Sequence, residues 1–140
     1  MTRPRKIAIA SAAALVIASI LIAAYLWTRP GREALRTLVS LMNAANRGDL
    51  DEARTYCTAR YLAAHPLISA PEGGVAGLPR GIHKNFQIWN SGPNVRICPT
   101  NRQGPVYQFA FEDGRWKFDG LVGMIRNGQM LMTDGDAASP

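Results

Sequence analysis

Two histidines, two cysteines, Asp113, Asp119 and a few tyrosines are the residues of this 140-residue chain whose types could do chemistry. His65 precedes Pro66 and His83 adjoins Lys84. Either would serve as a general base if it entered a pocket beside a carboxylate; the alternative is an exposed or hydrogen-bonded loop histidine. Asp113 belongs to a turn and Asp119 ends a strand, so both have structural roles available. Tyr56, Tyr61, Trp89 and Tyr107 are candidates to line a pocket, and ordinary core packing is the competing reading. Cys57 and Cys98 are the only cysteines. A disulfide between them would close a loop of about 40 residues and contribute roughly 4 kcal/mol in the chain-entropy model. Two buried thiols acting as small apolar side chains fit the pair equally well. No Cys-x-x-Cys spacing exists and the histidines are not spaced as ligands with the cysteines, so no metal site is expected. A phosphate-cradling glycine loop and a nucleophile elbow are missing as well. The sequence therefore predicts no catalytic residue, no cofactor and no metal.

Charge narrows the class of partner. The formal net charge is +6. Arg3, Arg5, Lys6 and Arg29 face no acid in the first 30 residues, while all 10 acids lie beyond them with the other basic residues. The rest of the chain is close to balance, which argues against a nucleic-acid binder, whose basic face must be concentrated to neutralise phosphates. An apolar content of 47% argues against a disordered chain.

Residues 7–27 are Ile, Ala, Leu and Val broken by Ser11, Ser19, Tyr25 and Trp27, without a charge. At about 1.5 Å per residue such a helix spans roughly 30 Å, the thickness of a bilayer core. Tyr25 and Trp27 stand where amphipathic rings favour the headgroup layer, and Arg29 and Pro30 are expected to end the helix. A cleaved export signal is the competitor, but its apolar region usually runs only about 7–15 residues. Positive charge at Arg3, Arg5 and Lys6 favours a cytoplasmic N-terminus. The expectation is a basic start at 1–6, a single-pass anchor at 7–27 in the cytoplasmic (inner) membrane, and a domain in the periplasm or outside the cell. Trp27, Arg29, Arg32 and Arg36 are candidates to touch lipid headgroups or an acidic neighbour, or are simply solvated.

The elements that must position these residues follow. Leu35, Leu38, Met42 and Ala45 recur at helical spacing, and Gly48 can take the left-handed conformation that ends a helix. Asp49 and Glu52 form a capping box for a second helix fading near Ala63. Residues 64–84 are rich in Pro and Gly and read as a connector or, less simply, a lid. Phe86 to Ser91 and Val95 to Cys98 alternate as strands. Val106 to Glu112 and Arg115 to Leu121 flank Asp113-Gly114, a strong two-residue hairpin signal. That turn sets Glu112 opposite Arg115 as an ion pair, Phe111 opposite Trp116, and Phe109 opposite Phe118. Asn127-Gly128 could join a further strand, with a frayed tail behind it in 127–140. The class is α+β: a transmembrane helix, then in 31–126 a helical hairpin packed on a curved antiparallel sheet of about four strands.

Asn46-Arg47-Gly48-Asp49, Leu50-Asp51-Glu52-Ala53 and the hairpin Glu112-Asp113-Gly114-Arg115-Trp116-Lys117-Phe118 together resemble the nuclear transport factor 2-like superfamily, particularly its membrane-anchored or exported bacterial members of unassigned function. The resemblance covers roughly residues 31–122. It implies a cone in which helices close over a bent sheet and leave an apolar pocket. Enzymes of that superfamily place an acid/base Asp, His or Tyr in the cone, and no position here matches such a motif. The leading expectation is an anchored, non-enzymatic interaction domain, an accessory subunit touching the bilayer and other membrane subunits or a second copy of itself. A binder of a small apolar or lipid-like ligand and a small acid/base isomerase are the alternatives.

Overall fold

The computed structural model describes residues 3–70, 73–76, 78, 85–99 and 103–132. Contacts divide the chain into two units, Met1–Pro30 and Gly31–Pro140.

The first unit is helical throughout its described length. It belongs to α1 (Arg3–Arg47), within which Pro30 lies. The expected stop at Arg29 and Pro30 is therefore corrected: proline's fixed φ is compatible with a helix, at the cost of one backbone hydrogen bond and crowding against the carbonyl four residues before it. Ile9, Leu15, Leu21 and Trp27 are all more than half exposed. Ser11 and Ser19 turn their hydroxyls back to the carbonyls of Ile7 and Leu15, which satisfies both groups inside the helix.

The second unit is α+β. The last part of α1 presents Ala34, Leu38, Leu41, Met42 and Ala45 as one buried stripe, the i, i+3, i+4, i+7 pattern of an amphipathic helix. Gly48 follows at φ +69 and ends it. Asp49 caps α2 (Leu50–Thr55) by accepting from the Glu52 amide at 3.1 Å. The reciprocal half of the expected capping box is not made: the Asp49 amide donates to the Ala44 carbonyl, and the Glu52 side chain pairs with Arg47.

The second helix does not run to Ala63 unbroken. Tyr56, Cys57 and Thr58 leave the helix and lie alongside Phe118 in a parallel bridge. The Phe118 amide donates to the Tyr56 carbonyl at 2.7 Å, and the Thr58 amide to the Phe118 carbonyl at 2.9 Å. Thr58 then caps α3 (Ala59–Ala64), its hydroxyl accepting from the Tyr61 amide.

Among the described residues the sheet holds five strands, the four expected and the further one that Asn127-Gly128 could join: β1 (Phe86–Ser91), β2 (Asn94–Pro99), β3 (Gly104–Glu112), β4 (Arg115–Arg126) and β5 (Gln129–Met132). Their spatial order is β1-β2-β3-β4-β5, and every neighbouring pair is antiparallel. It curls as a half-barrel. The extra strand arises because Asn127 and Gly128 both take positive φ, as a two-residue hairpin turn requires.

At Asp113-Gly114 the register matches expectation, pairing Glu112 with Arg115, Phe111 with Trp116 and Phe109 with Phe118. The ion pair does not. Among the described residues Glu112 pairs with Lys117 at 3.4 Å rather than with Arg115: all three share one face, and the Lys117 side chain lies diagonally across the pair while Arg115 is exposed. Further along, two register shifts bend β4 against β3; each inserts an unpaired residue and tightens the local twist.

The sheet has two unlike faces. On one, Val95, Ile97, Tyr107, Phe109 and Phe118 join the buried stripe of α1, with Ala53, Cys57, Tyr61, Leu67, Val75 and Leu78, in the main core. On the other, Cys98, Val106 and Val122 form a second cluster with Trp89 and Ile125 against them. Within 64–84, Ser69 and Val75 make an antiparallel bridge, so part of this connector is folded into the core; residues 79–84 lie outside the described residues.

Candidate functional site

The densest polar arrangement in the second unit centres on Asp119, which sequence reasoning took for a plain strand end. Its position comes from a bulge. Gln108 pairs with Gly120 and Phe109 with Phe118, so Asp119 is the extra residue between them. Gly120 next to it adopts φ +118, a conformation that L side chains rarely reach, and the ring of Tyr61 lies about 3.4 Å from where a Cβ would stand. Asp119 Oδ1 accepts from the Thr58 hydroxyl at 2.7 Å and from Arg60 Nε at 3.3 Å. Oδ2 accepts from Arg60 Nη2 at 2.5 Å and from Gln108 Nε2 at 3.2 Å. The side chain is only 7% exposed. A carboxylate whose two oxygens receive four donors has its acceptor sites filled. It ties α3 to the sheet and offers no open lone pair for general-base work. Beside it, Lys117, whose side chain is 12% exposed, reaches Glu112 and Asp113, and Glu112 accepts from the Ala59 amide at the start of α3.

One register position away lies Arg96. It stands opposite Trp89 on β1 and opposite Gln108 on β3. Its Nε is buried and has no hydrogen-bond partner. A guanidinium donor withdrawn from water without an acceptor is costly, about 1–3 kcal/mol or more for a charged group. The row Trp89–Arg96–Gln108 therefore carries one unmet guanidinium donor, Arg96 Nε, next to a filled carboxylate. At one end of the sheet, Gln103, Gly104, Met124, Ile125, Arg126 and Asn127 surround an open cleft of about 550 Å³.

The tyrosines expected to line one pocket are separated from the tryptophan. Tyr61 and Tyr107 are buried in the main core, meeting Phe118 edge-on at 4.9 and 6.0 Å between ring centres. Tyr56 packs at the margin of that core, its hydroxyl 3.4 Å from Glu52 Oε1. Trp89 lies on the opposite face with Cys98. Burial pushes the Tyr61 phenol up to about 12, with Cys57 adding to it, and raises the Tyr107 phenol as well.

The cysteines also fall on opposite faces. Cys57 sits in the main core and Cys98 in the second cluster, and both are free. The candidate disulfide is not formed, because Cys98 follows Ile97 on β2 and alternation sends it to the far side of the sheet. Burial pushes the Cys57 thiol up to about 12 and raises that of Cys98.

His65 caps the C-terminal end of α3, exposed, with its ring stacked on Tyr61 at 4.8 Å. Among the described residues no carboxylate reaches it. His83 lies outside the described residues. Asp113 occupies the hairpin turn at φ 52. Trp27, Arg29, Arg32 and Arg36 are exposed along α1. Among the described residues no three His, Cys, Asp or Glu side chains gather as metal ligands would.

Sequence reasoning missed Asp119 and Arg96 as a pair of sites. Asp119-Gly120 inside a strand was the available signal, since glycine there marks a bulge. For Arg96 the signal was a charged residue alternating with Val95, Ile97 and Cys98. No protein-family model, no curated protein and no solved structure matches the chain.

Proposed function

We propose that the chain is a single-pass membrane protein whose second unit is an extracytoplasmic, non-enzymatic interaction domain, an accessory subunit of a membrane complex. One observation carries this reading: α1 contains a stretch long and apolar enough to cross a bilayer, none of which is buried in the protein. Each Leu or Ile left in water forgoes about 1.5–3 kcal/mol relative to an apolar phase, and a bilayer is the phase that a lone helix of this length fits. Arg3, Arg5 and Lys6 orient the N-terminus inward under the positive-inside bias. Trp27, Arg29, Arg32 and Arg36 then meet the outer headgroups or a neighbouring subunit.

The second unit is read as a cone of the nuclear transport factor 2-like type. The helical stripe of α1 with α2 and α3 forms its cover, and the curled sheet forms its wall. The filled acceptors of Asp119 and the lone, exposed His65 favour binding over catalysis.

The test is membrane fractionation of the tagged full-length chain, followed by purification in mild detergent. Retention in the pellet after alkaline carbonate, with residue 1 intact, is expected. Release of a soluble chain beginning near residue 24 would mean a cleaved export signal instead. Protease added to cells stripped of their outer envelope should digest the domain; protection would reverse the topology. A stoichiometric membrane protein in the purified sample supports the accessory-subunit reading, whereas a second copy alone makes the surface a homodimer interface.

A further inference from the structure

Arg96 differs from those cations of the second unit that hold a carboxylate. Arg47, Arg54, Arg60 and Lys117 each reach a carboxylate, while Arg96 Nε is buried without an acceptor. A guanidinium remains protonated throughout the physiological range and presents its donors in a rigid fork that matches two carboxylate oxygens. The acid within reach of its row, Asp119, is already filled by Thr58, Arg60 and Gln108. Among the described residues no acceptor reaches its Nε.

The surroundings say what kind of acceptor. Arg60 meets Asp119 and Lys117 meets Glu112 and Asp113, which leaves the single positive charge of Arg96 without a carboxylate among the described residues. A carboxylate balances that charge, while a phosphate dianion would place surplus negative charge beside Asp119. Gln108 has two amide hydrogens on Nε2 and directs one of them to Asp119, so the other is available to a ligand oxygen. Trp89, opposite Arg96 on β1, is half-buried, as is Arg96 itself; both keep a side open to solvent. The same face of the sheet continues into the apolar cluster of Cys98, Val106 and Val122.

We propose that Arg96, with Trp89 and Gln108, forms a binding site for the carboxylate of a small organic acid with an apolar body. On binding, the guanidinium swings its buried Nε edge toward solvent, where Nε–H and an Nη–H take the two oxygens side-on, and the apolar body lies against Trp89. The site depends neither on the anchor nor on a protein partner, so a soluble location of the chain would leave it intact.

The test uses the full-length chain in nanodiscs of neutral phosphatidylcholine, with hexanoate as probe and hexan-1-ol and inorganic phosphate as controls. Hexanoate is expected to raise the thermal midpoint saturably and to shift the Arg96 Nε–H resonance downfield. Arg96→Met should fold with a midpoint no lower than the parent, because it removes an unmet buried donor, and should lose both responses. Arg96→Lys keeps the charge without the fork and should weaken hexanoate by about tenfold. If Arg96→Met does not fold, Arg96→Lys and the resonance of the parent protein decide the matter. The proposal is overturned by no response to hexanoate, by an equal response to hexan-1-ol, by a response to phosphate but not hexanoate, or by a response that survives in Arg96→Met.

Discussion

Asp119 and Cys57 show how much one side chain's surroundings decide. Removing the Asp119 carboxylate strands three donor groups at once: the Thr58 hydroxyl, the Gln108 amide and the Arg60 guanidinium. Arg60 is about half exposed and can turn to water, so the loss falls mainly on Thr58 and Gln108. Asp119→Ala should lower stability by about 2–3 kcal/mol in urea titrations, and Asp119→Asn by less, since an amide oxygen still accepts. Equal losses for the two would mean that the hydrogen bonds contribute little. Cys57 makes a prediction in pH. Its thiol ordinarily titrates at 9.0, and burial carries it to about 12 in the folded protein. Below pH 9 both states hold the proton and the effect on stability is flat. Between about 9 and 12 the unfolded chain has released it while the folded chain keeps it, so stability falls as pH rises. Tyr61 shifts from 10.0 to about 12 and acts in the same direction. Urea midpoints should drop across this window, and less steeply in Cys57→Ala; an unchanged slope would place the cause in other groups.

The elements divide according to how local their causes are. The Asp113-Gly114 hairpin, with its register, was legible because a two-residue turn and alternating aromatics settle it within a dozen residues. So were the buried stripe of α1 and the cap at Asp49. The break at Tyr56–Thr58 was not legible, because its cause is Phe118, some 60 residues away, drawing those backbone groups into a bridge. The Asp119 cluster was hidden for the same reason, its partners lying 11 to 61 residues off. The role of Gly31 belongs with these non-local effects. It sits in α1, and a Cβ there would stand 2.8 Å from the Ile88 Cγ2 methyl on β1. Alanine favours a helix over glycine by about 1 kcal/mol, but overpacking of this kind costs about 1–3 kcal/mol. Gly31→Ala should therefore destabilise by about 1 kcal/mol. In an Ile88→Ala background, which removes the methyl, the same substitution should stabilise. A loss of the same size in both backgrounds would show that the two residues do not meet.

The whole molecule is two units, each with its own way of meeting solvent. Among its described residues the first has no buried side chain to hold it as a globule: its large aliphatic residues are more than half exposed along the helix. The second holds an aromatic and aliphatic core from seven of its eight elements and a further cluster on the far face. Its near-balanced charge leaves solubility to ordinary polar surface rather than to one basic patch. A core of this kind should not need the first 30 residues. The chain from Gly31 onward, expressed alone, should be soluble without detergent and unfold in one cooperative transition, with stability of about 5–15 kcal/mol as for other single domains. Its starting residue lies against Ile88 and the buried stripe begins at Ala34, so the cut leaves the helical stripe complete. Far-UV and near-UV circular dichroism should lose their signals together on heating. A soluble fragment with helical far-UV signal but no near-UV signal would mean that α1 must continue upstream of Gly31 for the core to pack. In that outcome the anchor would act as a folding element as well, and the separation of the two units by contact would not be a separation in stability.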